Sequence, residues 1–212
     1  HNWIMCWLYV GTFGSFIGFS AGFALLTKQD FPDVNPIQYA FLGPLVGALM
    51  RVIGGWLSDK FAAAKVTQVS FVVMIIAVYG VMQFLPQNGV GGSFWGFFAC
   101  FMLLFAFTGI GNGSTFAQAP RIFAITHQRQ AKKTGGHLIA AETEAAKESA
   151  AVVGFMGALG AYGGFFIPKS FGSSIDMTGS PHMALIIFIV FYASCIIINW
   201  WYYARKNAEV KC

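Results

Sequence analysis

Residues 41–59 read FLGPLVGALMRVIGGWLSD, an apolar run close to the ~20 residues of helix that cross a hydrocarbon core. Within it stands Arg51, whose guanidinium keeps its proton in any protein environment and therefore requires a partner or water. The composition agrees with a bilayer as the solvent: 57% of residues are hydrophobic, only 10% are charged, and 23 are Phe. An ordinary soluble domain carries roughly 25% charged residues.

Five further stretches have the same character, so the chain reads as an all-α membrane protein with six transmembrane helices, spanning about 3–26, 37–57, 66–85, 94–119, 150–168 and 183–203. The breaks TKQDFPDVNP, LPQNGVGG and SFGSSIDMTGSP carry the Pro, Gly, Asn and Asp of turns. Between the fourth and fifth spans the pattern predicts a long basic loop. Cations collect on one side, at Lys60, Lys65, Arg121, Arg129, Lys132, Lys133, Lys147, Arg205, Lys206 and Lys211, against Lys28 and Lys169 on the other. By the positive-inside rule the first side and both chain ends are cytoplasmic. The net charge of +5 is thus a consequence of topology, and a nucleic-acid partner is not implied. Cys6, Cys100 and Cys195 fall within spans and Cys212 at the cytoplasmic end, which is no disulfide framework. The chain begins at His1 and runs at once into the first span, so it reads as a fragment with no signal peptide.

Six helices with both ends inside match half of a twelve-helix transporter built from inverted three-helix repeats. Arg51 lies about 10 Å from the cytoplasmic end of its helix at ~1.5 Å per residue. A long side chain can snorkel from that depth. Gly47, Gly54 and Gly55 share its face, however, and glycine on a membrane helix marks close helix packing, which turns Arg51 toward the bundle interior. Tyr9 and Phe13, one turn apart at about 9 and 15 Å on the first helix, reach the same depth. A phenol donates a hydrogen bond to an anion and a ring supplies a flat wall, although both residues also suit ordinary core packing. The fifth helix carries Gly154, Gly157, Gly160, Gly163 and Gly164, a stripe that permits close approach of a neighbour or a ligand. The fourth has a narrow polar stretch, Gly109, Gly111, Asn112, Gly113, Ser114 and Thr115.

The run GFMGALGAYGGFFIPKSFG resembles the second signature of the bacterial nitrate/nitrite porter family of the major facilitator superfamily. Residues 13–60 are similar to the seventh and eighth helices of the same transporters, and SFGSSIDMTGSP extends the match. The resemblance implies a C-terminal six-helix half, residues 1–212, in the bacterial inner membrane, with the N-terminal half missing. It implies that Arg51 is one of two substrate arginines, that Tyr9 hydrogen-bonds the anion and that Phe13 forms an aromatic wall. Asn112, Gly157, Gly160 and Gly164 join them as substrate-binding candidates. Asp59 and Lys60 stand where the superfamily places a conformational latch, but the segment continues Phe61-Ala62-Ala63-Ala64-Lys65 instead of with glycine and bases.

Nitrate is planar, and a guanidinium meets it edge to edge through paired hydrogen bonds; nitrite offers two similar oxygens. The expected partners are therefore nitrate, nitrite, the lipid bilayer and the missing half. No Asp or Glu falls inside a predicted span, which favours nitrate/nitrite exchange, with proton symport as the alternative. An enzyme is not indicated, since His127, His137 and His182 share no ligand spacing and no nucleophile stands beside a base; no metal or cofactor is expected. An anion sensor is the remaining alternative class, though nothing that could signal is attached.

Overall fold

The computed structural model describes residues 1–86, 91–134, 138–208 and 210. His137, Lys211 and Cys212 of the sequence reading lie outside the described residues. Among the described residues there is no strand, and six helical segments are long and apolar enough to span a membrane. We label the helices α1 (Asn2–Asp30), α2 (Leu42–Lys60), α3 (Ala63–Phe84), α4 (Phe94–Thr134), α5 (Leu138–Ala161), α6 (Gly163–Thr178) and α7 (His182–Asn199). The fifth span consists of α5 and α6 with a break at Tyr162 between them. There the ladder tightens to Tyr162 N–H donating to the Leu159 carbonyl three residues back. Within α1, Val10–Gly14 form a π turn, and α7 continues into another, Trp200–Ala204.

The expected long basic loop between the fourth and fifth spans is instead mostly helix. α4 runs 41 residues, about 60 Å at ~1.5 Å per residue and about twice the ~30 Å hydrocarbon core. Arg121, Arg129, Lys132 and Lys133 therefore ride on α4, and Glu142, Glu144, Lys147 and Glu148 on α5. The two extensions are tied together: His127 Nε2 lies 2.6 Å from Glu148 Oε2, and Gln128 Nε2 donates to Glu142 Oε1 at 3.3 Å. Polar composition signalled a loop, whereas two charged helices can satisfy one another outside the membrane. Pro120 and Pro168 lie inside α4 and α6 rather than ending them, since in a packed helix a proline removes one backbone bond without stopping the rest. The segment SFGSSIDMTGSP, expected as a turn, is helical as far as Thr178. The chain turns only at Gly179, whose φ of 73° is the left-handed cap that glycine adopts freely, with its N–H on the Ile175 carbonyl.

Packing divides the bundle into two zones. Phe19, Phe23, Phe97, Phe101, Phe105, Phe171 and Phe188 form a buried aromatic core between α1, α4, α6 and α7, largely edge to face. Toward the other end, a buried polar chain joins four helices. Thr12 of α1 meets Thr115 of α4 at 3.0 Å, and Thr67 of α3 meets Ser114 at 2.8 Å and donates to Gln118 at 3.2 Å. Gln118 donates to Asn199 Oδ1 of α7 at 3.3 Å, while Asn199 Nδ2 donates to the Ala64 carbonyl and to Gln68 Oε1 at 2.8 and 2.7 Å. In a medium without water these bonds hold helix register that apolar contacts alone leave loose.

Candidate anion site

The site is assembled on α2 and α4, which approach through glycine. A Cβ on Gly109 would strike the Gly47 carbonyl, one on Gly54 the Ile110 carbonyl, and one on Gly113 the Arg51 carbonyl. Backbone thus meets backbone at three levels, and the half-buried Arg51 side chain leaves α2 beside α4. Its guanidinium carbon lies 5.4 Å from the centre of the Phe116 ring, an attraction of about 0.5–2 kcal/mol depending on desolvation. Of the glycines expected on the Arg51 face, Gly47 and Gly54 are packed in this way. A Cβ on Gly55 would meet nothing.

On α1, the Tyr9 and Phe13 rings stack with centroids 5.1 Å apart and planes 29° apart. Gly160 of α5 lies against both, since a Cβ there would come within 2.8 Å of Phe13 Cδ1 and 3.3 Å of Tyr9 Cδ1. The structure therefore brings Tyr9, Phe13 and Gly160 together where α1 meets α5, and Arg51 and Phe116 together where α2 meets α4. Gly164 packs on Ile17 of α1, while Gly157 faces open space. Asn112 is buried at 1% exposure, and its Oδ1 has no hydrogen-bond partner.

Two features of the site escaped the sequence reading. Phe116, four residues after Asn112 and so one turn along the same face of α4, supplies the ring beneath Arg51; its position in the run GNGSTF was the available signal. The π turn between Tyr9 and Phe13 had no periodic signature. It is a local widening of the helix, and the Thr12 hydroxyl occupies it by donating toward the Leu8 carbonyl at 3.3 Å. Asp59 and Lys60, the residues expected at the latch, behave differently. Asp59 pairs with Arg121 of α4 at 2.7 Å, and Arg121 also donates to the Ser58 carbonyl at 2.6 Å. Lys60 stays on its own helix, over the Trp56 ring at 4.0 Å. Among the described residues no group of three His, Cys, Asp or Glu side chains converges to hold a metal.

Six helices long and apolar enough to cross a membrane, carrying a half-buried guanidinium, a phenol and flat aromatic rings, make this a multi-pass membrane protein. The chain is 47% identical, over all of its 212 residues, to the nitrate/nitrite transporter NarU of Escherichia coli K12, of which it covers 46%. It is 40% identical over its whole length to a protein named probable nitrate/nitrite antiporter NarK2 of Thermus thermophilus, covering 44% of it. A probable nitrate transporter NarT of Staphylococcus haemolyticus is 28% identical over 77% of the chain and 35% of its own length. No family model matches. The chain spans about half the length of the curated relatives it matches and is a homologue of one half of these nitrate/nitrite transporters.

Proposed function

We propose that this half supplies Arg51, Tyr9, Phe13 and Asn112 to the anion site of a nitrate/nitrite transporter, and that the whole protein exchanges the two anions across the bacterial inner membrane. The observation that carries the reading is the half-buried Arg51 guanidinium, held over the Phe116 ring within a membrane span. Its donors offer a fork to two oxygens of a planar oxyanion, the phenol offers a further donor, and the ring face covers the anion's plane. The other six helices complete the site with a second cation and close the cleft by rocking against this half, which carries both of its ends on the cytoplasmic side. With the site empty, unpaired arginines in a desolvated cleft resist reorientation; a bound anion compensates their charge.

In the full-length transporter, Arg51→Lys keeps the charge and loses the fork, so nitrate binding falls severely. Wild-type binding in that variant would remove Arg51 from the site. Vesicles loaded with nitrite should take up external nitrate much faster than anion-free vesicles. Rapid uptake into anion-free vesicles under an inward proton gradient would replace exchange by proton symport.

A further inference from the structure

A crevice of about 580 Å³ lies between α1, α5–α6 and α7, lined among others by Trp3, Trp7, Leu159, Phe166, Ile187 and Phe191. It takes neither Tyr9 nor Phe13 from α1 and so opens on a different face from the anion site. Its volume is that of a ligand cleft, about 300–1,000 Å³, yet its walls are almost wholly apolar. The indole and two of the hydroxyls along it are already paired: Trp7 Nε1 donates to Ser194 Oγ at 3.0 Å, and Ser15 Oγ meets the Tyr192 hydroxyl at 2.7 Å. Water entering this space would lack the two to four partners it needs, and a void would forfeit the contacts of every lining side chain. Hydrocarbon is the filler that satisfies both conditions at membrane depth.

We propose that this crevice holds one acyl chain of a bilayer phospholipid as a bound component of the protein. Charge places the other end of the lipid. Trp3 lies two residues from His1, whose ring nitrogen is 3.0 Å from the Tyr203 hydroxyl, so the crevice begins at the end of the bundle where α7 leaves the membrane. Arg205 and Lys206 follow there. Arg205 is held over the Trp201 ring at 4.4 Å, and its Nε is buried without a partner, a cation suited to a phosphate. The phosphate sits at that end and the tail lies along Trp7, Phe191 and Ile187.

The full-length protein, stripped of loosely bound lipid in detergent, should retain one phospholipid by native mass spectrometry. Ile187→Trp fills the crevice and should lower that retention at least tenfold, whereas Ile186→Trp, an equally exposed position on α7 outside the crevice, should leave it unchanged. Equal retention in all three proteins overturns the proposal. A phosphatidylglycerol with a diazirine on one chain should label Trp3–Val10 and Phe166 or Ile187–Phe191 on illumination. Absence of label from both segments, as when the other six helices cover the crevice, also overturns it.

Discussion

Gly113 of α4 lies directly on the main chain of Arg51: a methyl group there would collide with the arginine's carbonyl oxygen and come within 2.8 Å of the Gly55 nitrogen. The position of the Arg51 side chain is therefore set by an α4 residue that has no side chain of its own. Gly113→Ala should push α2 from α4, cost about 1–3 kcal/mol as overpacking does, and weaken nitrate binding even though no binding group is altered. Thermal unfolding and nitrate titration of the full-length variant check both effects.

Gly160 and Gly157 should separate cleanly. Gly160→Leu has no room beside the stacked Tyr9 and Phe13 rings and should abolish anion uptake while the protein still inserts. Gly157→Ala meets nothing within this half and should change its stability by less than about 0.5 kcal/mol. Parallel uptake and unfolding measurements would expose an error if the two variants behaved alike.

Asn199 makes three of the bonds in the buried polar chain, to Gln118, Ala64 and Gln68. Interhelical hydrogen bonds in membranes average about 0.6 kcal/mol and reach about 1.7, so Asn199→Leu should destabilise by roughly 2 kcal/mol. Steric unfolding assays in lipid give the value directly. A neutral result would mean that the partners find substitutes within their own helices.

At the end of α2, the Asp59–Arg121 pair is more than a third exposed on both sides and should contribute about 0–1 kcal/mol after screening. Arg121→Ala should cost more than Asp59→Asn, because it also strips the donor from the carbonyl of buried Ser58. Comparing the two unfolding midpoints tests that order, and high salt should narrow the difference only slightly.

Hydropathy and residue spacing alone determined that this chain crosses a membrane in six helices, that Arg51 sits at a depth where a cation needs a reason, and that glycine lines the helices around it. Those properties are local, because the cost of placing each residue in hydrocarbon and the helical period can be summed along the chain. Tertiary structure decided what each glycine touches. Gly157 and Gly160 are alike in sequence, yet one faces open space and the other carries the Tyr9–Phe13 stack. It also decided that the polar stretch after Pro120 continues as helix, since the bonds from His127 to Glu148 and from Gln128 to Glu142 join residues 21 and 14 positions apart. Phe116 became the floor beneath Arg51, 65 residues before it in the chain, for the same reason. Contacts between separate helices depend on which faces meet, and that is fixed by close packing of the whole bundle rather than by the preference of any one segment.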